Sequence, residues 1–153
     1  MNPYMKKGVL IALYLVLLSA GCSKDKYQTK PSLTLKSTNG DIIPKGATYS
    51  LEFEFTDKEG DIDDTLYIIR QRLNIKGMVT MPPFNFQVPE FPRQSKGEIR
   101  VDLDYNFHLT VGINPIGISP NFEPDTMRYK FVLKDRENNL SDTVEVGPTI
   151  IIR

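Results

Sequence analysis

The 153-residue sequence has no tryptophan, one cysteine and one histidine, and its 19 basic residues only balance its 19 acidic ones. Each shortage removes a class of function. A lone cysteine closes no intrachain disulfide, so the fold must be held by packing. A lone histidine excludes a multi-histidine zinc site. A Ser/His/Asp hydrolase would need that residue, His108, as its base, and no strained nucleophile turn such as G-x-S-x-G accompanies it. Lysines and arginines are scattered singly, so no basic stripe is present for a nucleic-acid backbone. Lack of Trp removes the commonest sugar-stacking platform but leaves seven Tyr and eight Phe. With 40% apolar and 25% charged residues, the chain has the composition of a globular protein rather than a disordered one.

The one long apolar run is at the start. Met1 to Lys7 is short and basic, and Gly8 to Ser23 is an uncharged stretch of 16 residues. That is shorter than the roughly 20 residues a helix needs to cross hydrocarbon, so residues 1–21 read as a cleavable signal-peptide helix rather than an anchor. A buried small hydrophobe is the ordinary role of a single cysteine. Cys22 instead stands between the apolar leader and the polar Ser23-Lys24-Asp25-Lys26, before any fold begins. Leu18-Ser19-Ala20-Gly21-Cys22 resembles the lipobox of bacterial lipoproteins, with Ser19 where that motif usually carries Leu. The resemblance implies cleavage before Cys22, lipidation there, and membrane attachment through buried acyl chains. Ser23 is not the Asp that retains many such proteins at the inner membrane, so an outer-membrane location is expected. Periplasmic or cell-surface orientation stays open. Processing would remove Lys6 and Lys7, leaving the mature chain slightly acidic.

Residues 22–31 read as a polar tether and residues 32–153 as one domain. Beyond Ser32 the dominant pattern is alternation with period two, which predicts an all-β fold. Tyr49, Leu51, Phe53 and Phe55 alternate with Ser50, Glu52, Glu54 and Thr56. Ile99, Val101, Leu103, Tyr105, Phe107 and Leu109 alternate with polar residues, and Met127, Tyr129, Phe131 and Leu133 form a third such series. The expected strands are A (33–36), B (48–56), C (65–74), D (84–88), E (98–110), F (126–135) and G (142–153). Pro148 implies an edge or a bulge within G. About seven strands suit an antiparallel immunoglobulin-like, fibronectin III-type β-sandwich.

Asp57-Lys58-Glu59-Gly60-Asp61-Ile62 after B, and Asp135 to Asp142 between F and G, resemble the turns of uncharacterised Gram-negative lipoproteins with a single immunoglobulin-like domain. These motifs are turn chemistry and say little about activity. Both turns would lie at one end of the sandwich. Asp57, Glu59, Asp61, Asp63, Asp135 and Asn138 are therefore candidate oxygen ligands for Ca²⁺, the alternative being solvated turns. The spacing is not that of an EF-hand, because Gly60 comes too early and Ile68 stands where the closing Glu belongs.

Gly77 to Pro92 interleaves four prolines with Met78, Met81, Phe84, Phe86 and Phe91, which predicts an irregular edge or crossing loop. Met81, Phe84, Phe86 and Phe91 either form a recognition surface for a peptide, glycan or partner subunit, or plug the open side of the sandwich. Thr65, Thr126 and Thr143 each follow Asp and precede an apolar residue. These triplets resemble an O-glycosylation motif of some Gram-negative bacteria and equally suit a turn leading into a strand. His108 is expected on the polar face of strand E beside Asp104 and Asn106. The expected role is non-catalytic: binding or assembly at the membrane, as in an accessory glycan- or peptide-binding subunit of an uptake system. A hydrolase or protease inhibitor is the alternative.

Overall fold

A computed structural model describes residues 29–74 and 79–153. The expected signal peptide, Cys22 and most of the expected tether lie outside the described residues. Eleven strands follow in order: β1 (Ser32–Thr38), β2 (Ile42–Ile43), β3 (Tyr49–Thr56), β4 (Thr65–Arg72), β5 (Val79–Thr80), β6 (Phe84–Gln87), β7 (Lys96–Leu103), β8 (Gly117–Ile118), β9 (Asn121–Phe122), β10 (Asp125–Lys134) and β11 (Val144–Ile151). One π-helical turn, Tyr105–Leu109, interrupts them. Among the described residues no helix is long and apolar enough to cross a membrane.

The strands form an all-β sandwich. One sheet has the order β1-β3-β7, and the larger has β2-β11-β10-β4 with β5 and β6 both paired to β4. β8 and β9 form a separate small hairpin. All the pairings are antiparallel except the short β2 with β11, which is parallel.

Alternation explains how the sheets meet. Every odd-numbered residue of β3 and of β10 is buried, and their aromatic rings touch across the interior. Tyr49 lies 5.7 Å from Tyr129 and Phe53 lies 4.7 Å from Phe131, ring centre to ring centre, both tilted. Such pairs add about 0.5–1.5 kcal/mol each to what burial alone supplies. Leu51, Leu66, Ile68, Leu103, Leu133 and Ile151 complete a dry centre.

Strand E is shorter than its alternation implies. It ends at Leu103, and Asp104 caps the helical turn: its carboxylate accepts from the amides of Asn106 and Phe107. Tyr105 and Leu109 are buried, as four-residue spacing on one helix face also allows, while Phe107 is 76% exposed. His108 accordingly leaves the expected strand face. Its Nδ1 accepts from the Asp104 amide, and its ring packs 5.6 Å from Phe84 and 5.1 Å from Phe86.

Pro148 is accommodated by a bulge. Met127 pairs with Thr149 and Tyr129 with Val146, so β11 carries one extra residue there. The short β2, β5, β8 and β9 add to the seven expected strands. The Met81 to Phe91 segment is an irregular edge of the larger sheet, with β5 and β6 separated by Pro82-Pro83.

Candidate functional site

The β3–β4 connection is built around Asp57. Its amide donates to the Ser95 carbonyl, and its buried Oδ2 accepts from the amides of Gly60 and Asp61. Gly60 has φ +67, and a Cβ there would lie 2.7 Å from the Gln94 backbone nitrogen, so no other residue fits without moving the chain. Ile62, fully buried, anchors the far side of the turn in the core.

The β10–β11 connection meets this turn. The Arg136 amide donates to the Asp61 carbonyl. Asp135 Oδ1 accepts from the Asn139 amide, and Oδ2 from the Asn139 side chain, each at 2.8 Å. The result brings oxygens of Asp57, Asp61 and Asp135 within 4.8 Å of one another. All three residues are buried, at 0%, 7% and 1% exposure. Burial, then the neighbouring Asp57 and Asp135, push the Asp61 carboxyl above its usual range.

Three of the six residues expected as ligands thus converge, and three do not. Asp63 pairs with Arg136, which also reaches Glu90. Asn138 is exposed, has φ 71 and accepts from Lys134 at 3.3 Å, so it is Asn139 that supports Asp135. Glu59 has a buried oxygen without a hydrogen-bond partner but stands outside the converging three.

The other sequence candidates disperse. Met81, Phe84, Phe86 and Phe91 are all partly buried and pack against the core, Phe91 at 6.0 Å from Phe55. Beside them, between β6 and β7, runs a shallow groove lined by Leu66, Phe86, Val88, Pro89, Ile99 and Val101. Thr65 is buried with its hydroxyl donating to Asp64, Thr126 is half-buried, and Thr143 is exposed.

A second buried cluster occupies the opposite end. Asp125, fully buried, pairs with both Arg72 and Arg153. Arg72 Nη1 donates to the Asn114 carbonyl and Arg153 Nη2 to that of Ile113. Arg70 Nη1 donates to the carbonyls of His108 and Val111, and its guanidinium lies 5.3 Å from the centre of the Phe84 ring. Burial pulls the Arg70 pKa down and pushes that of Tyr129 up. These arginines hold the segment from the helical turn to Asn114 onto the sandwich. Exposed apolar side chains project from the same end: Phe107 at 76%, Val111 at 47% and Ile118 at 84%.

No family model matches the chain, and no curated protein does. Among solved structures it is similar to the sporulation control protein Spo0M of Bacillus subtilis, at 10% identity and a TM-score of 0.46 over 81% of this chain and 50% of that one. It is also similar to a β-glucosidase from Listeria innocua in complex with gluconolactone, at 12% identity and a TM-score of 0.38 over 80% of this chain and 16% of that one. The chain therefore spans half the length of the first neighbour and about a sixth of the second.

Proposed function

We propose that this chain is a lipid-anchored, non-catalytic binding or assembly module of the bacterial cell envelope, built on an immunoglobulin-like sandwich of the fibronectin III type. The strand order supports the fold assignment. Strands expected as A, B and E form one sheet, those expected as G, F and C the other, and the D equivalent, β6, joins C.

The observation that carries the functional reading is the polarity of the domain. Ser32, where the first strand begins, pairs with Thr56 at the acidic end, and Lys30 bonds Asp142 of the β10–β11 connection at 2.5 Å. The expected tether, residues 22–31, therefore leads into that end. Phe107, Val111 and Ile118 are exposed at the other end, the first two on a segment clamped by buried arginines and Ile118 on the β8–β9 hairpin that follows it. An anchored domain of this geometry presents a rigid apolar tip away from the bilayer, where a partner is met.

The test is expression of the full chain in a bacterium with an outer membrane. The mature N-terminus is expected to be acylated Cys22, and Cys22→Ser to move the protein from the detergent phase to the aqueous phase. An unmodified N-terminus with unchanged partitioning would overturn the anchor. For the tip, Ile118→Asp should leave the melting midpoint unchanged while reducing co-purification of envelope components; undiminished co-purification would remove the tip as the binding face.

A further inference from the structure

We infer that Asp57, Asp61 and Asp135 form a Ca²⁺ site that ties the two sheets together at the end where the tether arrives. Three carboxylates within 4.8 Å would by themselves be only an acidic cluster. The second observation is what their oxygens lack. Asp57 Oδ1 and Asp61 Oδ1 are buried and have no hydrogen-bond partner, in residues 0% and 7% exposed. An unpaired buried carboxylate oxygen is among the costliest groups a fold can hold.

The same connection holds two further buried oxygens without a hydrogen-bond partner, Glu59 Oε2 and Asp63 Oδ1, but direct bonds fix both turns. Two amides go to Asp57 Oδ2 and two donors from Asn139 to Asp135, so the orphaned oxygens are not a sign of a loosely formed loop. Neighbouring cations are engaged with other carboxylates: Lys134 with Asp64, and Arg136 with Asp63 and Glu90. Neither Lys134 nor Arg136 therefore supplies the missing counter-charge.

Donor chemistry selects the ion. Carboxylate oxygens without any histidine or cysteine suit a hard cation, not zinc or copper. Three carboxylates from two separate loops, spaced irregularly, suit the flexible six- to eight-oxygen shell of Ca²⁺ better than the strict octahedron of Mg²⁺, with water completing the shell. Asp57 follows β3 of the smaller sheet and Asp135 follows β10 of the larger, so one ion would join the two layers.

The experiment uses the full chain, purified in detergent and freed of metal with a chelator. Melting is followed with CaCl₂ or MgCl₂ alone, and CaCl₂ binding is measured by isothermal titration calorimetry. At a hundredfold excess over Kd the midpoint is expected to rise by roughly 5–10 °C with Ca²⁺ and by less with Mg²⁺. Asp61→Asn, which keeps the shape of the side chain and removes its charge, should abolish the Ca²⁺ shift, whereas Glu145→Gln, on the outer face of β11, should keep it. A shift equal for both ions, or retained in Asp61→Asn, would overturn the site. Should Asp61→Asn fail to fold, titration of the unaltered chain decides: one Ca²⁺ per chain supports the site, and no binding at millimolar Ca²⁺ refutes it.

Discussion

Asp125→Ala is the sharpest perturbation of the fold. The Asp125 side chain is 1% exposed and faces two guanidiniums, with the side chain of Arg72 4% exposed and that of Arg153 10%. Removing the carboxylate leaves both cations buried without their partner. Breaking a buried pair in this way costs about 3–5 kcal/mol, much of it the penalty on the charge left behind. Against a total stability of about 5–15 kcal/mol, that is a large fraction. At roughly 4 °C per kcal/mol for a domain of this size, the midpoint should fall by about 12–20 °C. Urea denaturation followed by circular dichroism gives the same quantity independently. A triple variant, Asp125→Leu with Arg72→Met and Arg153→Met, should recover part of the loss, because it leaves no buried charge unpaired but also removes the bonds to the Asn114 and Ile113 carbonyls. A loss below about 1 kcal/mol would refute the reasoning. It would mean that the segment around Asn114 opens and both guanidiniums regain water.

Two further outcomes follow from local geometry. Gly60→Ala combines a left-handed backbone with a Cβ placed 2.7 Å from the Gln94 nitrogen, so it should lower the urea midpoint by the equivalent of at least 1–3 kcal/mol. Asp102 is held below the usual carboxylate range first by the Ser50 hydroxyl and then by Arg100. A depressed folded-state pKa contributes stability that is complete above the ordinary carboxylate pKa of about 4 and is lost as pH falls through the folded value. Ser50→Ala should therefore lower stability at pH 7 and leave it unchanged at pH 2, which chemical denaturation at the two pH values would reveal.

Parity made most of the fold legible, and also explains where reading stopped. Tyr49 to Phe55 and Met127 to Leu133 announce their inward faces because apolar and polar residues alternate, with Val132 the one apolar residue on the outward side. In the stretch to Leu109 the same parity runs through Tyr105 and Leu109, but these residues are four apart, a spacing that a helical turn satisfies equally. The local competitor was the Asp104 side chain, whose two bonds to backbone amides reward a helix and not a ladder. The short strands β2, β5, β8 and β9 have two residues each, too few for any periodicity to register.

The two buried charge clusters differ in how the sequence announces them. Asp57, Asp61 and Asp135 stand in turns rich in Asp and Gly, so their convergence follows from two connections reaching the same end. Asn139, which supports Asp135, was hidden because it and Asn138 are equivalent in composition, and only the left-handed backbone of Asn138 turns one outward. The arginine cluster carried a signal of another kind. Arg70 and Arg72 continue the inward parity of Leu66 and Ile68, and Asp125 begins that of Met127 and Tyr129; in the register Arg72 lies opposite Met127, beside Asp125. Charged residues at consecutive core positions of two adjacent strands must pair or unfold the end they share. Here Asp125 pairs with Arg72 and Arg153, while Arg70, Arg72 and Arg153 donate to the carbonyls of His108, Val111, Ile113 and Asn114. The irregular segment bearing Phe107 and Val111 is thus fixed by buried charge as well as by the burial of Tyr105, Leu109 and Ile113, and its other large apolar side chains, Phe107 and Val111, face outward.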